Sequence, residues 1–187
     1  MSLHISFELS ESDLDYFHQA MQRACQAAQG TGRDQVIENA KQLLDEINRS
    51  DATDFIRDHM RQLETLIGML VDKDWGMSEE DSERVISALS YFSEPEDLIP
   101  DDIPGLGFLD DAIMIELVCK ELEYEVHAYR EFVMFRAVEV GRHDDDAPAV
   151  QRSDWLEERR QQLHSRMRRR RKGRQSKSVS KSPFSLL

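Results

Sequence analysis

The amino-acid sequence predicts an all-α protein, and three observations support this. Apolar residues recur at intervals of three and four in five successive segments of the 187 residues, which is the spacing of a helix face. Glycine or proline interrupts the chain between several of these segments. Only residues 3–9 alternate apolar and polar side chains as a strand does, and no second such stretch is there to pair with them. We expect one helical domain of about five helices with an extended N-terminal arm.

The first four predicted helices are marked by start signals and apolar stripes. Ser10 and Asp13 form a capping box before the first helix, and Ser78 with the acids that follow it caps the fourth. The second helix follows the break at Gly30–Gly32, and the third begins near Asp51–Asp54. The stripe of the third helix is wide enough to face the core. We expect the third helix to bury Phe55, Ile56, Met60, Leu63, Leu66, Ile67, Leu70 and Val71.

A long fifth helix is predicted from about Leu109–Asp110 to about Val140. Its apolar residues step by four and three in alternation, which is typical of a seam packed along neighbouring helices. Glu125 and its acidic neighbours fall away from this seam, so we expect them at the surface. The predicted seam consists of Phe108, Ala112, Ile115, Cys119, Leu122, Val126, Tyr129 and Val133.

The formal charge of −13 is distributed unevenly along the chain. Residues 152–187 contain 12 Lys and Arg but only 3 Asp and Glu, a balance of +9, whereas the preceding residues carry −22. An acidic body with a basic end presents two different surfaces to partners, or allows the basic end to fold back onto the body. We expect a helical domain at 1–140, a linker at 141–152, and a basic helix with a disordered tail at 153–187.

The basic tract between Arg166 and Arg174 is the most distinctive charged feature of the sequence. Such a tract neutralises phosphates without reading base sequence, or contacts anionic lipid headgroups. The alternative is a solvated tail, or one that pairs with the acidic body. The candidate polyanion-binding residues are Arg166, Arg168, Arg169, Arg170, Arg171, Lys172 and Arg174.

Several functional classes find no support in the sequence. No apolar run approaches the ~18 residues of a membrane-spanning helix, and the first residues do not resemble a signal peptide, so we expect a cytoplasmic protein. Cys25 and Cys119 lie far apart and are predicted to be free thiols. The six histidines form no zinc-binding pattern, and no nucleophile or phosphate-loop motif is present. No cofactor is predicted, and the sequence favours a protein without catalytic activity.

Residues 91–119 combine a proline-rich acidic turn with the most apolar stretch of the chain. Glycines permit backbone angles that other residues resist, so we expect a tight structural turn made by Pro100, Pro104, Gly105 and Gly107. Carboxylates gathered by this turn are suitable ligands for Mg²⁺ or Ca²⁺. The alternative is that the last two acids stabilise the start of the fifth helix. The candidate metal ligands are Asp97, Asp101, Asp102, Asp110 and Asp111.

The same turn carries a recognisable signature. The residues Asp-Leu-Ile-Pro-Asp at 97–101, Ile-Pro at 103–104, Leu-Gly-Phe at 106–108 and Asp-Asp at 110–111 resemble the motif of the YkvA-like family, a bacterial helical domain of uncharacterised function. The resemblance implies a helical hairpin around the turn, with a YkvA-like core at about 78–140. It implies no reaction and no site residue.

The charge distribution and the absence of a catalytic motif together predict an interaction module. Its acidic body would carry a basic tail that contacts a protein partner, nucleic acid or an anionic membrane surface. The alternative is a divalent-metal-binding protein or hydrolase that uses the Asp cluster of residues 97–111.

Overall fold

The computed structural model describes residues 8–27, 30–93, 99, 103, 106–142 and 149–175. Within these ranges the chain forms seven α-helices and a short 3₁₀ turn, and no strand. The all-α class is confirmed, whereas the helix number of about five is too low; the predicted N-terminal arm lies almost wholly outside the described residues. The elements are α1 (Glu11–Ala27), α2 (Arg33–Arg49), α3 (Asp54–Val71), α4 (Glu79–Leu89), the 3₁₀ turn (Ser90–Ser93), α5 (Leu109–Glu121), α6 (Glu123–Arg142) and α7 (Ala149–Gln175).

Side-chain caps fix where three of the helices begin. The Ser10 backbone N–H donates to Asp13 Oδ2 at 2.8 Å and the Asp13 N–H donates to Ser10 Oγ at 3.4 Å, so the predicted capping box before α1 is present. Thr53 caps α3 through its hydroxyl. Ser78 caps α4 by accepting the Asp81 N–H at 3.3 Å.

The core lies between α3 and the helices packed around it, chiefly α2, α5 and α6. All predicted seam residues are buried except Val133, which is half-buried. The predicted stripe of α3 is wrong at both ends, because Phe55 and Val71 are half-exposed. They lie in the first and last turns of α3, and the Phe55 ring packs on His59, 4.3 Å away, rather than in the core.

The predicted fifth helix is two helices separated by Leu122. Its backbone N–H donates to the Val118 carbonyl, and its own carbonyl accepts from Val126 N–H, each at 2.9 Å. Because helical hydrogen bonds continue on both sides of Leu122, the apolar spacing passes through the junction unchanged. That continuity explains why the sequence pattern indicates one helix.

The basic segment forms a long helix that packs against α6. The sequence pattern indicates a marginal helix with a thin apolar stripe. Instead, α7 has 27 residues, and its Leu163 and Met167 are buried and belong to the hydrophobic core. Early residues of α6 contact late residues of α7 and the reverse: Glu125 pairs with Arg171, and Arg159 lies over the Phe135 ring. The two helices are therefore antiparallel; the predicted tail at 176–187 lies outside the described residues.

Candidate polyanion-binding helix and its acidic pocket

The middle of α7 is seated on the turn that follows α3. The imidazole of His164 lies 4.2 Å, between ring centroids, from the indole of Trp75, which is fully buried and also contacts Phe132 at 5.3 Å. Gly76 has φ 52°, and a Cβ there would lie 2.6 Å from Nη1 of Arg160. Gly76 thus favours the left-handed turn, whereas a Cβ there would require only the flexible end of Arg160 to shift.

The C-terminal part of α7 inserts an arginine between buried carboxylates. Arg171 donates through Nη1 to Asp81 and to Glu125 Oε1, the latter at 3.3 Å, and through Nη2 to Glu80 at 2.8 Å. The Asp81 and Glu125 side chains are each 1 % exposed. We call Glu80, Asp81 and Glu125 the acidic pocket.

The acidic pocket depends on α7 for its charge balance. Glu125 also pairs with Arg84 of α4, so the body itself places one half-buried arginine beside two buried carboxylates. Buried charges are costly unless they are paired, and Arg171 supplies the second cation. Burial alone would lower the pKa of Arg171, but its hydrogen bonds and charge interactions with Asp81 and Glu125 outweigh burial and raise that pKa.

The basic tract therefore divides into residues that pair with carboxylates of the body and residues that do not. Arg166 pairs with Glu131, and Arg168 lies 3.9 Å from Asp81. The remaining described side chains are exposed and make no ion pair within the described part of the chain, and Arg174 has its side chain outside that part. We call this exposed set the outer basic face, and it consists of Arg169, Arg170 and Lys172.

The docked helix also buries a titratable imidazole. Burial is the main cause that lowers the pKa of His164, and the positive charges of Arg168 and Arg160 lower it further, against the opposing effect of Asp81. A neutral imidazole is consequently favoured beneath α7.

Sequence reasoning missed the acidic pocket, and the prediction that Glu125 is exposed is wrong. Glu125 follows Leu122 by three residues and precedes Tyr129 by four, which places it on the same helix face as these two seam residues. A carboxylate on an apolar face is a signal for a buried ion pair, because Glu is rarely buried without one. Asp81 carries no comparable signal, since its position in the first turn of α4 is explained by helix capping.

A second charged cluster joins the turn after α3 to α6. Arg136 pairs with Asp72 at 2.7 Å and Asp74 at 3.0 Å, and the Tyr129 hydroxyl donates to Asp72 Oδ2 at 3.2 Å. Burial opposes ionisation of Asp72, but Arg136 and two backbone N–H donors prevail and hold its pKa below the ordinary value. Burial and the Asp72 charge raise the pKa of Tyr129 to about 12.

Two of the five predicted metal ligands lie within the described residues. Asp110 and Asp111 are buried in the first turn of α5, and Asp110 Oδ2 accepts the backbone N–H of Ile99 at 3.0 Å. This bond ties the preceding turn to the helix, and the first-turn position suits the helix dipole. No group of three potential metal-binding His, Cys, Asp or Glu side chains occurs among the described residues. The predicted ligands outside those residues are Asp97, Asp101 and Asp102.

The sequence predicts that the glycines of the turn adopt the backbone angles that other residues resist, and the described end of the turn differs from this. Gly107 is buried, and its N–H donates to the Ile103 carbonyl at 2.8 Å, but the left-handed residue is Phe108, with φ 65°. Phe108 occupies the N-cap position of α5 without a side-chain cap. The other predicted turn residues, Pro100, Pro104 and Gly105, lie outside the described residues.

A known protein family matches the segment that contains most of α4 and α5, with its buried carboxylates and left-handed Phe108. Residues 84–117 match the DUF1232 family model. That model describes a protein family of unknown function, and the match confirms the YkvA-like resemblance. The DUF1232 segment covers Arg84 of the pocket region but ends before Glu125 and α7.

The remaining comparisons add no relative. No curated protein and no solved structure matches the chain. None of the helices in the described part of the chain combines the length and the apolar character needed to cross a bilayer.

Proposed function

We propose that the protein is a cytoplasmic, non-enzymatic interaction module that contacts nucleic-acid phosphates through its C-terminal helix. The observation that carries the proposal is the outer basic face: Arg169, Arg170 and Lys172 are exposed without a counter-charge among the described residues. Lys and Arg side chains of this kind neutralise phosphates and release counterions.

The orientation of α7 supports phosphate contact over insertion into a membrane. A helix that lies in a bilayer surface needs an apolar face to bury there. In α7 the apolar side chains Leu163 and Met167 are already buried against the body. Within the described part of α7, the exposed side near the outer basic face has no apolar residue to insert, which favours a purely electrostatic contact.

The same geometry predicts weak binding without sequence preference. Few cations point outward, and the aromatic Trp155 lies more than three helical turns from them, so base stacking has no support. Three cations correspond to a slope of about −3 in log Kobs against log[salt] for duplex DNA. The acidic body adds repulsion that weakens the contact further.

The test measures binding of the full chain to a fluorescein-labelled DNA duplex of mixed sequence by fluorescence anisotropy. The variant R169Q/R170Q/K172Q removes the outer basic face, and we expect it to lose most of the binding. The matched control is K41Q/R49Q/R61Q, which removes the same charge from exposed residues that each pair with an acid on their own helix. We expect this control to retain nearly all of the binding.

Two results would contradict the proposal. Equal binding by both triple variants would mean that net charge, not the outer basic face, controls the contact. Binding to vesicles containing phosphatidylserine that exceeds binding to the duplex would favour a membrane surface instead.

A further inference from the structure

The basic tract faces two kinds of anion: the carboxylates of the body and the phosphates of a bound polyanion. Arg171 is enclosed by Glu80, Asp81 and Glu125, and its side chain is only 13 % exposed. A guanidinium held in this way is not accessible to a phosphate. As long as α7 is docked, only part of the basic tract faces outward.

We propose that the acidic pocket is an intramolecular competitor for nucleic-acid phosphates, so that docking of α7 autoinhibits the polyanion contact. This inference rests on the proposed function of the outer basic face. Release of α7 exposes Arg171 and separates the already half-exposed Arg166 and Arg168 from Glu131 and Asp81, so that six cations become available to phosphates and binding strengthens.

The interface between α7 and the body has an apolar part and an ionic part. The apolar part consists mainly of Leu163, Met167, the half-buried Leu156 and the imidazole of His164. The rest is ionic: Arg171 with the acidic pocket and Arg166 with Glu131. Anionic carboxylates and anionic phosphates bind the same guanidinium groups and cannot do so together. By linkage, a change that weakens docking raises the fraction of released α7 and with it the apparent affinity for the polyanion, up to the affinity of the fully released helix.

Two variants weaken docking by unrelated means. D81N/E125Q removes the carboxylates that hold Arg171, and D45N/D58N is its charge-matched control, made at two exposed carboxylates of other helices. L163A/M167A leaves the charge unchanged but truncates two α7 side chains that are buried against the body. A change shared by both variants and absent from the control reports docking rather than net charge.

Trp75 reports whether α7 has been released. It is fully buried beneath His164, so release exposes the indole and shifts its emission to the red. W155F is included in every protein of this set, because Trp155 is the second tryptophan and is partly exposed. Circular dichroism of the variants checks that the helices are retained.

The experiment measures duplex affinity by anisotropy between about 50 and 200 mM salt, where the number of phosphate contacts sets the slope of log Kobs against log[salt]. We expect a slope of about −3 for the W155F protein and for the control, and about −5 with at least about tenfold tighter binding for both docking variants. Red-shifted Trp75 emission with unchanged slope and affinity overturns the inference. Unshifted emission in both variants also overturns it, because the named contacts then do not hold α7.

The outcomes also separate this inference from the proposed function. If the W155F protein binds the duplex through the outer basic face and the docking variants bind identically, autoinhibition fails and the proposed function stands. If none of the proteins binds the duplex, both fail.

Discussion

Replacing Arg171 with methionine tests the acidic pocket most directly, because methionine retains much of the side-chain volume and removes only the cation. Removing one partner of a buried ion pair costs about 3–5 kcal/mol. Arg84 still pairs with Glu125, and the 13 % exposure of Arg171 allows water to enter, so we expect the lower end of that range. A loss of about 3 kcal/mol corresponds to a fall in Tm of about 6–12 °C for a chain of this size.

The assay is thermal unfolding followed by circular dichroism, with R169M as the matched control. Arg169 is exposed and makes no described ion pair, so its replacement should leave Tm within about 1 °C, as expected for surface substitutions. Adding D81N to R171M should recover part of the loss, since a coupling of about 1–3 kcal/mol is typical of residues in one network. Equal Tm values for R171M and R169M would refute the assignment of Arg171 as the cation that balances the pocket.

Three further predictions concern other parts of the fold. L122A should cost about 3–5 kcal/mol in urea unfolding, because Leu122 is completely buried and the junction between α5 and α6 closes around it; a loss below about 1 kcal/mol would show that the site collapses onto the cavity. Because the pKa of Asp72 is lowered in the fold, its carboxylate contributes stability that is fully present above the unfolded pKa of 3.8 and is lost as pH falls through the folded pKa. D72N should therefore show a shallower loss of stability in acid than the wild type. Parallel pH profiles would argue against the Arg136 pairing. Because Asp110 is buried and engaged by Ile99, we expect Mg²⁺, Mn²⁺ and Ca²⁺ to leave Tm unchanged, whereas a metal-dependent rise that D110N abolishes would support the alternative of a metal site at residues 97–111.

The sequence determines the helical class and the core seam because both follow from apolar spacing alone. Residues such as Ala112 and Ile115 are fully buried as the seam predicts. The junction at Leu122 escapes this reasoning, because one residue outside regular helix does not change the spacing. Phe55 and Val71 escape it for the opposite reason: they fit the α3 stripe but lie at its ends.

The candidate site was only half predictable. A basic tract is visible in composition, but which of its arginines turn inward depends on contacts between residues up to 91 positions apart, such as Glu80 and Arg171. Helical periodicity places Arg171 four residues after Met167 and eight after Leu163, on the docking face. The partner carboxylates on α4 and α6 become known only when the three helices are brought together.

Phe108 imposes opposite requirements on one position of the chain. Its φ of 65° is a conformation that costs roughly 1–2 kcal/mol for a residue with a side chain, and glycine would remove that cost. Its ring, however, is buried at the start of α5, and truncating a buried phenylalanine costs about 3–5 kcal/mol. Backbone and side chain thus select for different amino acids, and the larger burial term decides for the aromatic ring. Phe108→Gly therefore relaxes the backbone but leaves the turn less stable than it is, because the buried ring is lost.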